Sequence, residues 1–344
     1  MKIEIQFLTF LSRALLLSLF LSISLSFSYY VYLKRGGGWR VAFQLFIFIP
    51  LLVSIFVAIY EPISSNPPLL KLFYFICSFI VLLIFGKFSK FKCGEVKEIE
   101  KIENIPVLVC FDRRNRFYNA WYDSKNRRIL ITEDLFNILS EEERKAVFYH
   151  EIGHSKIKFW RLINSLTSIM WLLSSSILLT MFILALLSDY MLMDKVMLSM
   201  SFLALLPMYA VSFMISSWVN EHEADCYAVA KAGFKPIIQA LAKLNIYNSL
   251  KGCETMISDI RFSDVLKCDR ISYSHVLGGV IRRIFVYLHP QSIINRPLPD
   301  THPPLILRLY RIKSSVQNIN KTDNKTSTHQ DNIPNQHSNS RMNR

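Results

Sequence analysis

Five long apolar runs dominate the pattern of hydrophobic and polar positions. They cover residues 14–33, 41–60, 69–86, 164–188 and 195–218 and are nearly free of charge. Each has about the length of a helix that crosses ~30 Å of hydrocarbon, and helices of soluble cores are seldom so long and so apolar. The pattern therefore predicts about five transmembrane helices.

Two polar segments with a different periodicity interrupt and follow these runs. Ile105–Phe111 and Arg128–Thr132 resemble short strands, and residues 112–116 form a charged turn. Strands bounded by polar turns predict a small sheet. Ser140 is followed three positions later by Glu143, and this S-x-x-E capping box predicts a helix that begins there and carries His150 and His154.

These elements divide the chain into five parts. Residues 1–90 hold three predicted transmembrane helices, 91–163 the first part of a folded domain, 164–218 two further transmembrane helices, 219–313 the second part of that domain, and 314–344 a polar tail. The tail has too few apolar residues to bury a core, so we expect it to be disordered. The expected fold is a mainly α integral membrane protein with an inserted α+β domain and a small β-sheet.

Charge changes the picture by orienting the helices. The net charge is +14, yet the basic residues gather at the ends of apolar runs, which favours a membrane protein over a nucleic-acid-binding one. The first loop holds Lys34, Arg35 and Arg40, and the third run is followed by Lys87 and Lys90. The positive-inside rule then predicts that the regions after residues 87 and 218 face the cytosol. A cleaved signal peptide is the alternative for the first run, although no A-x-A site follows it.

Six cysteines lie at positions 77, 93, 110, 226, 253 and 268, with no C-x-x-C motif. Such spacing indicates no cysteine metal site. We expect reduced thiols, in keeping with a cytosolic or membrane setting.

The segment from His150 to His154 reads H-E-x-x-H. On a helix, two histidines four residues apart share a face and can bind one Zn²⁺. Glu151 lies between them and can act as the general base that takes a proton from the attacking water. The alternative is a surface helix with two solvated histidines.

A third ligand would exclude that alternative. A metzincin would place its third histidine at position 160, which is a tryptophan here, so that class is excluded. Glu221 and Asp225 lie four residues apart on one helix face, directly after the fifth apolar run. We expect Glu221 to bind zinc and Asp225 to orient a histidine ring. Both ligand-bearing helices would then lead into the membrane.

Taken together, four motifs resemble the HtpX and CAAX prenyl endopeptidase group of membrane zinc metallopeptidases. They are His150 to His154, Glu221 to Asp225 as E-x-x-x-D, Asn119-Ala120 ahead of a strand, and Thr301-His302-Pro303-Pro304 followed by Arg308. The resemblance implies a zincin-like domain with one Zn²⁺ on His150, His154 and Glu221, and catalysis by Glu151. It also implies that His302 acts in catalysis and that Asn119 and Arg308 bind substrate.

The expected function is therefore a zinc endopeptidase that cleaves membrane or membrane-associated proteins at the cytosolic face, as in HtpX-like quality control. Two alternatives remain open: a CAAX-type processing protease, and a signalling receptor whose metallopeptidase domain cleaves a repressor. The five predicted spans match neither the four usual in HtpX-like members nor the seven of the prenyl endopeptidases. Expected partners are protein or peptide substrates and the lipid bilayer, with no nucleic acid. The oligomeric state is not predicted.

Overall fold

A computed structural model describes residues 2–45, 68–88, 93–111, 118–187, 206–251, 271–288 and 302–316, together with residues 196 and 200. Helices predominate in this part of the chain, and one small mixed sheet accompanies them. In chain order the elements are α1 Lys2–Arg35, α2 Pro68–Phe88, β1 Glu95–Ile102, β2 Ile105–Phe111, β3 Ala120–Asp123, β4 Arg128–Thr132, α3 Glu133–Ile138, α4 Glu141–Lys156, α5 Lys158–Leu187, α6 Leu206–Ala232, α7 Phe234–Lys251, α8 Tyr273–Leu288 and α9 over residues 305–316.

Helical residues occupy the described parts of all five predicted apolar runs, including residues 39–45, where the second run begins. Within α1, Leu11–Arg35 is the one described helix long and apolar enough to cross a membrane, while the apolar part of α2, Leu72–Val81, is shorter. The fourth run lies on α5 as far as Leu187, and residues 206–218 of the fifth run lie on α6. Most of the second run, from residue 46 onward, lies outside the described residues. The count of five spans therefore stays a prediction.

The sheet has the strand order β1-β2-β4-β3. β2 pairs in parallel with β4, while β1 and β3 pair antiparallel with β2 and β4 respectively. The bounds of β2 and β4 confirm both predicted strands. β1 was not predicted, because it is charged and largely exposed, and neither was β3, which is only 4 residues long. The predicted charged turn at 112–116 lies outside the described residues.

The predicted capping box starts α4. The Ser140 hydroxyl accepts a hydrogen bond from the Glu143 amide at 3.3 Å, and the Glu143 carboxylate accepts one from the Ser140 amide at 2.8 Å. Lys243 on α7 contacts the same carboxylate at 2.7 Å. The start of α4 is thus held both locally and by a neighbouring helix.

Of the three apolar cores in the described residues, one packs α4 against the sheet and another packs α6 against α1. The inner face of β2 and β4 packs against α4 through Val107, Ile129, Phe148 and Ile152. A second core joins α6 to the last turns of α1 and includes Trp218, Val219, Tyr29 and Leu33. α1 is therefore packed against the folded domain through buried side chains.

One cysteine pair was not expected from the sequence. The structure joins Cys93 to Cys110 in a disulfide, with Cα atoms 5.5 Å apart. The antiparallel pairing of β1 with β2 sets Val96 opposite Cys110 and so brings the segment before β1 close to that cysteine. No short-range motif signals such a pair, because its 17-residue separation depends on the strand register. Cys77 and Cys226 are free thiols.

Candidate metal and catalytic site

The site is built where α4 and α6 cross at close range. A methyl group added at Gly153 would lie 3.0 Å from the Ala224 Cα and 3.2 Å from its carbonyl oxygen. Real carbon contacts are longer, so only glycine allows this approach. The crossing sets the face with His150 and His154 against the face with Glu221.

His150, His154 and Glu221 lie together, with ligand atoms within 4.8 Å of one another. The Glu221 carboxylate lies 3.5 Å from Nε2 of His150 and 3.3 Å from Nε2 of His154. All three side chains are largely withdrawn from solvent. The two histidines are neighbours on α4, as the i, i+4 spacing predicted.

This donor set fits a zinc ion. Tetrahedral zinc with ligand bonds near 2.0–2.1 Å separates neighbouring ligand atoms by about 3.3 Å, close to the two distances found here. Moreover, the buried oxygen Oε2 of Glu221 has no hydrogen-bond partner among the described residues. A buried carboxylate oxygen without a hydrogen bond is costly, and a cation at this point would satisfy it.

The two histidine rings have partners on their far sides. Nδ1 of His150 lies 2.9 Å from the Asp225 carboxylate, the contact expected of a group that orients the ring. The amide nitrogen Nδ2 of Asn220 lies 3.1 Å from Nδ1 of His154, and the amide oxygen is buried without a hydrogen-bond partner among the described residues. Turning the amide by 180° would bring this oxygen to the ring, where it would accept the Nδ1 proton and leave Nε2 directed at Glu221 with a free lone pair.

Asn220 did not emerge from the sequence. The only local signal is its position directly before Glu221, which by itself identifies no partner.

Arg308 lies among the acidic groups of α6. Its guanidinium donates to both oxygens of Asp225, at 2.8 and 2.6 Å, and is 3.7 Å from Glu221. The side chain is only 7% exposed. Arg308 therefore contacts Asp225, the residue beside His150, and lies near Glu221. Its predicted contact with substrate stays a prediction.

Electrostatics tie the polar groups into one network. Burial by itself would lower the pKa of His150, but its contacts with Asp225 and Glu221 raise that pKa to about 10. Burial would raise the pKa of Glu221, yet the positive charges of His302 and His154 hold it well below its usual value. A metal competes with protons for these lone pairs, so metal binding should release a proton.

Glu151 is buried within α4 and differs from Glu221 in its titration. Burial raises the pKa of Glu151 above its usual value, while His150 and His154 act in the opposite direction. A carboxylate whose pKa is moved toward neutrality is suited to accept and return a proton. This is one of the properties that the predicted role of Glu151 requires.

His302 and Asn119 occupy different borders of the site. His302 is 55% exposed, and its Nε2 lies 3.9 Å from Glu221. Asn119 precedes β3, and its backbone is paired with Thr132 at the end of β4. β3 lies at the end of the sheet order and packs against α4. The structure thus brings His302 to the ligands and leaves Asn119 at the sheet edge beside the metal-binding helix.

His222 follows Glu221 directly on α6. It is fully buried, and its Nε2 lies 2.6 Å from the Tyr29 hydroxyl of α1. The adjacent Glu223 accepts a hydrogen bond from Tyr32 at 2.6 Å. Neither tyrosine emerged as a functional residue from the sequence, because nothing local in α1 points to α6.

Two helices that bring two histidines and a glutamate to one point, with a buried glutamate between the histidines, form an arrangement typical of metallopeptidases whose third ligand is a glutamate. The model of Peptidase family M48 matches residues 98–316, and the chain belongs to this family. Membership makes the protein a metal-dependent hydrolase whose substrates are proteins or peptides. No curated protein and no solved structure matched the chain.

Proposed function

We propose that this protein is a zinc endopeptidase that cleaves membrane or membrane-associated proteins next to the bilayer, as HtpX-like quality-control proteases do. One observation carries the proposal. The triangle of His150, His154 and Glu221 lies where α4 meets the apolar helix α5 and where α6 ends its apolar part. A metal held there would act close to the ends of two apolar helices.

In this proposal His150, His154 and Glu221 hold the zinc ion. When bound, zinc lowers the pKa of a water molecule and polarises the scissile carbonyl. Glu151 accepts the proton of that water at its carboxylate and returns it to the leaving amine. Its buried position and raised pKa support this exchange.

Three groups orient the ligands. Asp225 holds the ring of His150, and Asn220 holds the ring of His154, so that both Nε2 atoms face Glu221. Arg308 neutralises Asp225 through two short hydrogen bonds in a buried environment. Contacts of this kind fix ring orientation and raise metal affinity.

We propose that substrates bind along β3. A peptide can add to the end of a sheet through main-chain hydrogen bonds, and β3 is the terminal strand beside α4. Asn119 stands at the start of this strand and would contact the peptide. His302, half-exposed and close to Glu221, would donate a hydrogen bond to the oxyanion that forms on the carbonyl.

Placement at the membrane is supported by the exposed side chains of the apolar helices. On α1, six large hydrophobic residues are between 41% and 67% exposed: Leu15, Leu16, Leu19, Phe20, Ile23 and Phe27. So extended a row on one helix is typical of a surface that faces lipid or a partner. The first run would then be a retained span.

The side of the membrane can be decided by experiment. Basic residues after the third run favour a cytosolic site, whereas the Cys93–Cys110 disulfide favours an oxidising compartment. We propose the cytosolic face, with a reduced pair in the cell. Free thiols are blocked at once in intact cells, and the denatured chains are then labelled with a maleimide, either directly or after reduction. If the pair is reduced in the cell, both samples should take up the same number of labels. Two further labels after reduction, lost in Cys110→Ser, would instead favour the oxidising side.

The zinc endopeptidase is tested with Glu151→Gln in the purified full-length chain. We expect the wild type to bind one zinc ion and to cleave an unfolded protein that carries a fluorescent label. The variant should retain zinc but have an activity about 10²- to 10⁴-fold lower. Glu142→Gln is the matched control, because Glu142 is exposed on the same helix. Equal activity of Glu151→Gln and the wild type would overturn the proposal. Substrates that remain bound to Glu151→Gln in native membranes would separate quality control from CAAX-type processing.

A further inference from the structure

Helix α1 lies outside residues 98–316, the part of the chain that matches the family. Its last turns nevertheless enter the core around α6. Tyr29 and Tyr32 are among the most deeply buried large side chains, with 0% and 1% exposure. Both hydroxyl groups end on the segment of α6 that also carries Glu221.

The two hydroxyl contacts are short and specific. Tyr29 lies 2.6 Å from Nε2 of His222, and Tyr32 donates to Glu223 at 2.6 Å. His222 and Glu223 follow Glu221 directly, so their side chains leave α6 in directions about 100° and 200° away from that of the ligand. α1 therefore contacts α6 on sides that the metal site does not use.

A third element contacts the same segment. From α9, Arg308 binds Asp225 as described above, and Arg311 lies 3.7 Å from Glu223 and stacks on the ring of Tyr32 with its guanidinium carbon 4.9 Å from the ring centre. The segment 221–225 is thus held by polar contacts from α1 and from α9. Apolar packing alone would allow a helix to slide or rotate more freely than these directional bonds do.

Rotation of α6 would matter for zinc. A carboxylate oxygen lies about 6 Å from its helix axis, so a rotation of only ~10° moves it by about 1 Å. Metal–ligand distances in functional sites are kept within about 0.2 Å. Small errors in the orientation of α6 are therefore large for Glu221.

We propose that α1 is a positioning element of the metal site, in which Tyr29 and Tyr32 set the orientation of Glu221 through His222 and Glu223. The inference rests on the proposed zinc site and adds to it a helix that the family match does not include. It requires α1 to stay part of the working protein. Tyr29 and Tyr32 are positioning residues, because their hydroxyl groups contact His222 and Glu223 and would act on the metal only through Glu221.

The test uses Tyr29→Phe and Tyr32→Phe in the full-length chain, each of which deletes one hydroxyl group. Tyr30→Phe is the matched control, since Tyr30 lies on the same helix and packs against Tyr273. Three quantities are measured: the zinc dissociation constant by competition with a chromophoric chelator, the visible absorption of the cobalt-substituted protein, and Tm. We expect zinc binding to weaken about three- to tenfold in both test variants, with a changed cobalt spectrum, and to stay unchanged in the control.

The possible results distinguish failure of the proposed zinc site from failure of the positioning role of α1. If the wild type binds no zinc, the proposed function fails. If the wild type binds zinc and the two test variants lower only Tm, with the same dissociation constant and cobalt spectrum, the positioning role is refuted.

Should Tyr29→Phe fold poorly, the double variant Tyr29→Phe/His222→Leu replaces both polar partners and removes the unpaired buried imidazole. A recovered Tm with zinc binding still weakened supports positioning. Recovery of both quantities together overturns it.

Discussion

The crossing of α4 and α6 makes Gly153→Ala a sharp perturbation. The added methyl group would meet three atoms of Ala224: Cα at 3.0 Å, the carbonyl oxygen at 3.2 Å and Cβ at 3.3 Å. Favourable carbon contacts lie at about 3.5–4.0 Å, so the helices must separate by roughly 0.5–1 Å. Two of the three atoms belong to the backbone and cannot rotate away.

Such a separation affects stability and metal binding differently. Overpacking costs about 1–3 kcal/mol, of which the better helix propensity of alanine recovers up to ~1 kcal/mol. The distances from Glu221 to the histidines, 3.3 and 3.5 Å, would grow by several tenths of an ångström. Because zinc tolerates deviations of about 0.2 Å, we expect its affinity to fall about 10- to 100-fold while the protein still folds.

The assay is chelator competition for zinc together with thermal unfolding of the metal-free protein. Gly278→Ala is the control, because a methyl group there meets nothing within 4 Å. Ala224→Gly added to Gly153→Ala should restore affinity only in part, since it removes the Cβ contact and leaves the two backbone contacts. Zinc affinity in Gly153→Ala equal to that of the wild type would refute the link between close crossing and ligand geometry.

Three further predictions concern charge and metal. Glu143→Gln should destabilise the protein by about 1–2 kcal/mol, because it weakens both the cap and the contact with Lys243. Burial alone would raise the pKa of Glu143, but Lys243 and the Ser140 amide lower it, so its stabilisation is present above the unfolded-state pKa and is lost as pH falls. The difference in unfolding free energy between wild type and variant should accordingly shrink under acid conditions, and a constant difference would contradict this. Arg308→Met should cost about 3–5 kcal/mol in chemical unfolding, because it removes both hydrogen bonds of the guanidinium to the buried Asp225 carboxylate, whereas Arg161→Met at an exposed position should be close to neutral. Removing metal with a chelator should lower Tm, and zinc at about 100 times its dissociation constant should restore roughly 2.7 kcal/mol; no response in Tm would argue against a metal in the native site.

Local patterns predicted the elements that depend on neighbours in sequence. The capping box at Ser140 and Glu143 and the strands β2 and β4 are confirmed with the expected bounds. Each reflects side chains within a few residues of one another, or the alternation along a single strand. β1 and β3 carried no such signal, since their pairing is determined by the partner strands.

The helical path of the ligand-bearing segments was predictable for the same reason. The spacing of His150 and His154 sets both on one face of α4, and Glu221 and Asp225 likewise share a face of α6. That these faces meet follows from the close approach at Gly153. The order of the motifs along the chain suggests that the two faces meet, but it gives no distance between their side chains.

Contacts between distant segments were decided by the tertiary structure. Tyr29 and His222 are 193 residues apart, and Arg308 and Asp225 are 83 apart. The local sequence pattern predicts neither pair, because a tyrosine in an apolar helix and an arginine in a short helix each have many possible partners.

By itself, the sequence determined the chemistry: two histidines and two glutamates on helices, together with apolar helices beside them. Only the packing of α1, α4, α6 and α9 decided which groups lie beside His150, His154 and Glu221, and that α1 contacts the residues of α6 that follow Glu221. The physical reason is that side-chain spacing within a helix is set by its own geometry, whereas the crossing of two helices depends on every side chain buried between them.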